Sequence, residues 1–488
     1  MKKLIFFWLP LVTMATWGSN PQVKAQGTFQ KTYGGGTGYC VKNTLDGNLA
    51  VTGESNGNTF LLKMDQNGTI LWYKNYATTA GTIEGKSVVA TADGGYIITG
   101  TLNPGAPTSD VLLLKTDSNG NFSWSKTYGG LMDESGAEVK QTLDGGYVIV
   151  GSTRSFGTNF DDIYVVKTDS NGNLQWSKDI ADSPTDYVDY GKSIIQNADS
   201  SYTVCGMMAN SVTSSDATLV KLSKNGSLVW VKSYGETGND EGNSVISTSD
   251  GGYAVVGYFT NSSGDWDVLL VKTNSTGSLQ WNITYGGSGY ETGRSVIQMP
   301  NGNYVVAGGT NSFGNGAGEF YLTQFDPNQI FLWTKTFGGV NFDDCFAMSM
   351  LNNNSFFTVG LTQSFGPWDI YVTKTNLSGY SGCNEFTPNM SMTLASVTVT
   401  TPSVVISTPS TAVNSLTFTA SNVSTVNTLC SLVTVQEIVE PFDLDNHKPE
   451  AIYNMQGQPV IESTDLPHGI YIYKYDVDNK RYMKKKFR

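Results

Sequence analysis

The sequence predicts an all-β fold, a seven-bladed β-propeller of four-stranded blades followed by small β-modules towards the C-terminus. An aromatic residue with a short polar segment after it recurs seven times, at Phe29, Trp72, Trp124, Trp176, Trp230, Trp281 and Trp333. The later copies follow one another at intervals of roughly 50 residues, and a fixed period of this length is typical of propellers and solenoids.

Each repeat contains four short apolar segments rich in Val, Ile, Leu, Tyr and Thr, separated by turn residues. Segments of this length and composition are typical of strands rather than helices. The Asp-Gly and Asn-Gly pairs between them favour tight hairpins, because these residues tolerate positive φ. In the fifth repeat we interpret the strands as a (244–248), b (253–259), c (267–273) and d (279–285).

The first and last repeats predict how the ring closes. Residues 28–33 form a lone strand d, whereas the final repeat, over 346–376, has only strands a, b and c. The N-terminal strand should therefore complete blade 7 and remove the open edge of the ring. This places the propeller domain at residues 26–376.

The hairpin at 169–176, with an acid, a Gly turn and Trp176 in that order, resembles the tryptophan-docking motif of quinoprotein-like propellers. The resemblance covers only this hairpin in each blade. It implies that the outer-strand tryptophans wedge between blades. It does not imply a quinone, and we expect no cofactor.

The N-terminal residues predict export. Lys2 and Lys3 precede an apolar segment at 4–17, and Val23 and Ala25 are small residues at the positions that signal peptidase reads, so residues 1–25 form a predicted signal peptide. No later apolar segment reaches 18 residues, so we expect no transmembrane helix. Residues 377–434 are rich in Ser, Thr and Val and are interpreted as a linker or a small β-module.

Residues 435–488 resemble the C-terminal sorting domain of type IX secretion. The residues that carry the resemblance are 452–457 (IYNMQG), 466–471 (LPHGIY) and the basic run 484–486. The resemblance implies a sorting or anchoring β-domain, the type IX machinery as a partner, and display on the outer surface of a Gram-negative bacterium. An ordinary terminal β-sandwich is the alternative.

Charge and cysteine content narrow the possible partners and bonds. The net charge of −12 argues against nucleic acid as a partner. Five cysteines are too few for a disulfide scaffold. Cys40, Cys205 and Cys345 are interpreted as buried apolar residues, whereas Cys383 and Cys430 bracket the Ser/Thr-rich segment and are predicted to pair.

Histidine chemistry is excluded from the propeller. The two histidines, His447 and His468, both lie in the C-terminal segment. Unless the C-terminal module folds over the blades, a Ser-His or Cys-His arrangement therefore cannot form within them, nor can a His-ligated metal site. We expect no catalytic residues.

Acidic residues recur near the start of strand a, in the d-to-a loops, and at the start of strand c. The first set is Glu134, Asp189, Asp240, Glu291 and Asp343; the second is Asp110, Asp162, Asp216, Asp267, Glu319 and Asp369. Both sets should gather on one face of the disc. They either accept hydrogen bonds within their own loops or form a ligand-binding face for sugar or for Ca²⁺, which prefers oxygen ligands.

Two tryptophans fall outside the repeating position. Trp266 and Trp368 lie in the b-to-c loops of blades 5 and 7. They are candidate ligand contacts, because large surface aromatics often mark binding surfaces; packing over a neighbouring loop is the alternative.

Together these features predict an exported, cell-surface propeller that acts as a non-catalytic recognition or adhesion module for protein or glycan. A secreted carbohydrate-active enzyme that uses the carboxylates of this face is one alternative, and a purely structural surface protein is another.

Overall fold

The computed structural model describes residues 27–431 apart from 104–107, 158–159, 183–187, 210–214, 237, 353, 389–390, 394–396, 401, 403, 408–409, 416, 418 and 422–425. It also describes 451–453, 459–460, 470–477 and 480–487. Every regular element in these residues is a β-strand. No helix among them is long and apolar enough to cross a membrane.

Seven antiparallel sheets form the ring, and their strands run outwards from the axis in the order a, b, c, d. Blade 1 contains β2 (Thr37–Asn43), β3 (Leu49–Ser55), β4 (Asn58–Met64) and β5 (Ile70–Ala77). Blade 2 contains β6 (Thr82–Ala90), β7 (Tyr96–Asn103), β8 (Asp110–Thr116) and β9 (Phe122–Gly129). Blade 3 contains β10 (Glu134–Gln141), β11 (Tyr147–Thr153), β12 (Asp162–Thr168) and β13 (Leu174–Asp182).

The remaining blades follow the same plan. Blade 4 contains β14 (Tyr190–Gln196), β15 (Tyr202–Ala209), β16 (Ser215–Leu222) and β17 (Leu228–Gly235). Blade 5 contains β18 (Glu241–Ser247), β19 (Tyr253–Thr260), β20 (Trp266–Thr273) and β21 (Leu279–Gly286). Blade 6 contains β22 (Glu291–Gln298), β23 (Tyr304–Thr310), β24 (Glu319–Phe325) and β25 (Phe331–Phe337). Blade 7 contains β26 (Asp343–Leu351), β27 (Ser355–Thr362), β28 (Asp369–Thr375) and, from the N-terminus, β1 (Phe29–Tyr33).

The predicted closure is confirmed. β1 pairs with β28 in antiparallel register, from Phe29 opposite Lys374 to Tyr33 opposite Ile370. The apolar cluster around Phe29 contains residues of both blade 1 and blade 7, including Phe60 and Phe357. The first and last blades therefore share one core, and the ring has no open seam.

The repeated tryptophans lie between blades, as the sequence predicts. Trp281 of strand d meets Tyr304 of the next blade edge-on, with ring centroids 5.4 Å apart, and Trp72 meets Tyr96 in the same way. The repeated tryptophan also packs against the c-to-d turn of the next blade. In blade 4 this tryptophan is Trp230, and a Cβ on Gly277 of blade 5 would be 2.9 Å from its ring. Because Gly277 also has a φ of +74°, glycine is required there for conformation and for space.

Residues 385–431 form a belt that adds a fifth strand to every blade, and this differs from both sequence interpretations of 377–434. Its strands are β29 (Glu385–Phe386), β30 (Ser391–Thr393), β31 (Thr398–Thr400), β32 (Val404–Ser407), β33 (Ala412–Asn414), β34 (Thr419–Ser421) and β35 (Val426–Ser431). They pair in turn with the outer strands of blades 6, 5, 4, 3, 2, 1 and 7. The segment is thus neither a free linker nor a separate module, because the outer edges of the blades supply its hydrogen-bonding partners.

Side chains also hold the belt against the ring. Val404 packs against the core shared by blades 3 and 4, and Val397 packs against the core shared by blades 4 and 5. The hydroxyls of Tyr164 and Thr411 are 2.6 Å apart, and Lys126 Nζ donates to Ser415 Oγ at 3.1 Å. The belt therefore belongs to the propeller domain in packing as well as in pairing.

The belt begins and ends at the ring's seam, where both predicted disulfide partners lie. Cys383 is disulfide-bonded, and its carbonyl accepts a hydrogen bond from Gln30 of β1. The backbone of Cys430 lies opposite Gln30 in the β1–β35 ladder. Cys40, Cys205 and Cys345 are free and buried. These positions support the Cys383–Cys430 pair, which stays a prediction that peptide mapping without reduction can test.

One carboxyl group is buried beneath the belt. Asp179 of β13 is 3% exposed; its Oδ2 accepts a hydrogen bond from Ser407 at 3.2 Å, and its Oδ1 has no partner among the described residues. Burial raises the pKa of Asp179 to about 6. The other blades carry uncharged residues at this ladder position: Thr32, Asn75, Thr127, Ser233, Thr284 and Thr336.

We expect Asp179→Thr to stabilise the protein at pH 8 by about 1–3 kcal/mol, the cost of an unsatisfied buried polar group. The folded state holds the Asp179 proton up to about pH 6, whereas the unfolded chain releases it near pH 4. Stability should therefore fall between about pH 4 and 6 and stay low above that range. Thermal melts of both proteins at pH 4 and 8 measure this, and an equal shift at both pH values would contradict it.

The C-terminal residues form a separate sheet. It contains β36 (Ala451–Tyr453), β37 (Pro459–Val460), β38 (Ile470–Val477) and β39 (Lys480–Phe487), in the order β37-β36-β38-β39. All pairs are antiparallel. The predicted signal peptide, residues 1–25, lies outside the described residues.

Candidate functional site

The loops from d to a and from b to c lie on one side of the ring, which we call the top face. Backbone hydrogen bonds join the two kinds of loop: Asn311 N–H donates to the Tyr290 carbonyl at 3.1 Å, and Gln363 N–H donates to the Phe342 carbonyl at 2.9 Å. This arrangement gathers both predicted sets of acidic residues on the top face.

The first set of acids is buried beneath that face. Glu134, Asp189, Asp240, Glu291 and Asp343 are each at most 1% exposed. Glu291 is representative: it accepts hydrogen bonds from Gly287 N–H at 2.6 Å and from Thr310 Oγ1 at 2.8 Å. These carboxylates tie the d-to-a loop to the b-to-c loop of the same blade. Their oxygens are used inside the blade, so we do not include Glu291 and its equivalents among the residues proposed to contact a ligand.

At several seams between blades, an acid of the second set lies beside one of the first. A Cβ on Gly129 would lie 1.9 Å from Asp110 Oδ1 and 2.5 Å from Glu134 Oε2. Burial raises the pKa of Asp110, and the negative charge of Glu134 raises it further. Burial likewise raises the pKa of Asp240 to about 7. No group of three or more His, Cys, Asp or Glu side chains that could hold a metal ion lies among the described residues, and the Ca²⁺ site stays a prediction.

A β-bulge in every innermost strand turns one side chain towards the axis. The a–b ladder skips one residue at the same place in all seven blades, and a bulge of this kind re-aims a side chain. The skipped residues are Tyr39, Lys86, Ala137, Lys192, Asn243, Arg294 and Phe346. All seven line one cavity of about 400 Å³ on the ring axis.

Charges in this axial cavity are paired. Lys86 contacts Glu84, and its Nζ lies 3.8 Å from the centre of the Tyr39 ring. Lys192 Nζ is 3.1 Å from the Glu241 carboxylate. Paired charges of this kind neutralise each other, so the cavity does not carry a strong charge of either sign.

A second cavity, of about 440 Å³, opens where blades 5, 6 and 7 meet on the top face. We call it the face pocket. The aromatic residues Trp266, Tyr290 and Phe342 line it, together with Arg294, Gly309 and Asp344. Arg294 lines both cavities. A largely apolar pocket of this size with a few polar groups is typical of a small-ligand site, for which volumes of about 300–1,000 Å³ are usual.

The two candidate tryptophans have different surroundings, and of the two, Trp266 lines the face pocket. Trp266 stacks on Tyr258, with ring centroids 4.4 Å apart and planes at 17°, and it lines the face pocket. Trp368 is 54% exposed and lines neither cavity. Its φ is +61°, and its carbonyl accepts a hydrogen bond from Gly36 at 2.8 Å.

Comparisons with known proteins show no family for this chain. No protein-family model matches it, and no curated protein matches it. Among the similar solved structures is a protein of unknown function from Dyadobacter fermentans, with a TM-score of 0.39 and 10% identity over 72% of this chain and 95% of that one.

Two further structures are similar over most of this chain. One is YCF48 bound to a D1 peptide, with a TM-score of 0.40 and 13% identity over 74% of this chain and 100% of that one. The other is a puromycin hydrolase mutant complexed with PGG, with a TM-score of 0.45 and 11% identity over 72% of this chain and 53% of that one.

Of the pocket residues, Trp266 and Asp343 were predicted from the sequence as ligand contacts, whereas Tyr290, Arg294 and Asp344 were not. Arg294 differs from the residues at the equivalent bulge position of other blades, such as Ala137 and Phe346. Asp344 does not stand out in this way, because blades 2 and 5 have the acids Glu84 and Glu241 at the same ladder position. An alignment of blades at the bulge, which the strand pattern alone does not place, would have found Arg294.

Proposed function

We propose that this protein is an exported, non-catalytic recognition or adhesion protein whose top face binds an extracellular glycan or protein. The observation that carries this proposal is the face pocket, whose lining departs from the blade repeat. Residues that maintain the fold recur from blade to blade, whereas a ligand contacts only some blades and needs different residues there.

Exposed apolar side chains surround the pocket on the same face. Tyr290 is 50% exposed, Val340 74% and Phe342 39%. A cluster of exposed aromatic and aliphatic residues next to a pocket is typical of an interaction surface.

The acidic residues of the pocket support a binding role rather than glycoside hydrolysis. Hydrolysis generally uses two carboxyl groups that face the substrate. The carboxylates in the described lining are Asp343 and Asp344. Asp343 accepts hydrogen bonds from Gly339 N–H at 2.9 Å and from Ser364 Oγ at 2.7 Å, which leaves Asp344 as the carboxylate open to a ligand.

Export and surface display are supported by the two ends of the sequence. Residues 1–25 have the pattern of a signal peptide, and residues 435–488 resemble a type IX sorting domain. Deleting 435–488 in the native host should leave the protein in the periplasm. Normal amounts on the cell surface would contradict the sorting role and the proposed partnership with the type IX machinery.

The binding site can be tested by paired measurements of stability and affinity. Trp281→Ala should lower stability by about 3 kcal/mol or more, because it removes an aromatic side chain from between two blades. Trp266→Ala should lower the stability by less than Trp281→Ala does. It should nevertheless weaken binding to any ligand found in a screen of glycans and extracellular proteins. Trp368→Ala, an exposed tryptophan outside the pocket, is the matched control.

Two outcomes would contradict the proposal. If Trp266→Ala destabilises the protein as much as Trp281→Ala and leaves binding unchanged, Trp266 is a core residue and the site assignment fails. Turnover of a polysaccharide that is lost in Asp344→Asn would instead establish the enzyme alternative.

A further inference from the structure

The face pocket exists because blade 6 has glycine where other blades have a side chain. Gly309 lies one residue after the glycine that recurs in strand b, and the equivalent residues are Glu54, Thr101, Ser152, Met207, Tyr258 and Leu361. A Cβ on Gly309 would lie 2.2 Å from Asp344 Oδ1. The missing side chain leaves both the cavity and the room for the Asp344 carboxylate.

Arg294 and Asp344 have hydrogen-bonding capacity left over. Arg294 Nε is buried and has no partner among the described residues. A terminal nitrogen of Arg294 lies 3.8 Å from Asp344 Oδ2, which is longer than a hydrogen bond. The guanidinium carbon lies 5.6 Å from the centre of the Phe346 ring. The pocket thus offers donors and an acceptor next to each other, and two neighbouring hydroxyl groups, each able to donate and accept, can satisfy both.

An aromatic wall stands beside this polar pair. Trp266 is held by its stack on Tyr258, and Tyr290 meets Trp266 edge-on at 5.2 Å. Rigid rings that line an open pocket give an apolar surface with little conformational freedom to lose on binding. The C–H groups of a sugar ring are a suitable partner for such a wall, while the sugar hydroxyls face Arg294 and Asp344.

The charges select an uncharged ligand. Arg294 is the cation of the described lining, and the Asp344 carboxylate next to it offsets its charge. The other carboxylate of the lining, Asp343, accepts hydrogen bonds from Gly339 N–H and Ser364 Oγ within its own blade. A carboxylate or sulfate on the ligand would approach Asp344 and be repelled by it. An ammonium group would meet the same repulsion from Arg294.

We propose that the face pocket binds a neutral sugar through a pair of adjacent hydroxyl groups, with Arg294 donating, Asp344 accepting and Trp266 forming the apolar wall. This inference rests on the proposed function and names its ligand class. Trp266, Arg294 and Asp344 come from blades 5, 6 and 7, so the packing of three consecutive blades brings them together.

The test is binding of the full chain to immobilised neutral oligosaccharides of glucose, galactose, mannose, xylose and fucose, beside uronic-acid and sulfated oligosaccharides. Gly309→Leu gives blade 6 the residue that blade 7 has at this position and should fill the pocket. Arg294→Asn gives it the bulge residue of blade 5. We expect both variants to lose at least about tenfold in affinity for a neutral sugar. Met207→Leu, at the equivalent position of blade 4 and outside both cavities, should change it by less than about twofold.

The outcomes separate the two proposals. Binding of acidic sugars only, or of no sugar, overturns the neutral-sugar assignment, as does neutral-sugar binding that Gly309→Leu and Arg294→Asn leave unchanged. If a protein ligand is found and Gly309→Leu abolishes its binding, the recognition function stands while the sugar assignment fails. If every bound ligand is unaffected by both variants, the pocket has no role and both proposals fail. Melting temperatures of the variants close to that of the parent exclude misfolding as the cause.

Discussion

Deleting residues 27–34 should abolish cooperative folding of the ring, or lower its melting temperature more than any single substitution does. These residues contain β1, which lies between β28 and β35 in the blade 7 sheet. Phe29 and Tyr33 are at most 2% exposed and belong to the core that blades 1 and 7 share. Without β1 that core opens, the outer edge of β28 is exposed, and β35 loses its pairing strand.

Gln30 makes the loss of stability larger, because its side chain joins β1 to β28 and to residues 381–383. The Tyr371 hydroxyl donates to Gln30 Oε1 at 2.6 Å, and Gln30 Nε2 donates to Ser381 Oγ at 2.8 Å and to the Cys383 carbonyl. The deletion thus removes a buried network as well as a strand. Calorimetry of a chain that begins at residue 35, against one that begins at residue 27, measures the effect. A shortened chain that melts as its control does would show that the ring closes in some other way.

The blade architecture could be predicted because the sequence repeats it in seven copies. Each tryptophan, each Asp-Gly turn and each apolar strand recurs, so an ambiguous copy is interpreted through the others. Strand a was the exception: in blade 5 it was predicted at 244–248, whereas β18 covers Glu241–Ser247. The bulge between Gly242 and Ser244 breaks the alternation of buried and exposed side chains, which is what a sequence pattern detects.

The belt could not be predicted in the same way. Its strands have two to six residues each, and they are held mainly by backbone hydrogen bonds to the blades. Backbone pairing leaves little trace in the side-chain sequence, and strand propensity depends on such context. The face pocket was missed for a related reason, since Gly309 and Arg294 matter through their difference from other blades, and only the ladder register makes those positions comparable.

A chain that ends at residue 376, the boundary predicted from the repeats, should be unstable and should aggregate, whereas a chain that ends at 434 should fold like the full protein. The shorter chain loses all seven belt strands and exposes the outer edge of every blade at once. Each lost backbone hydrogen bond removes about 1 kcal/mol. The freed segment regains conformational entropy, which offsets part of this cost. The free energy of unfolding should still fall by an amount on the order of several kcal/mol.

Partial truncation distinguishes a cooperative belt from one whose segments act independently. A chain that ends at residue 409 keeps β29 to β32 on blades 6, 5, 4 and 3 but leaves blades 2, 1 and 7 uncovered. If each belt strand stabilises only its own blade, this chain should melt between the 376 and 434 forms, and hydrogen exchange should be faster in β9, β5 and β1 alone. If the belt acts as one unit that must return to β1 at the seam, the 409 form should be as unstable as the 376 form. Melting of the 376 form at the temperature of the 434 form would show that the belt does not stabilise the ring at all.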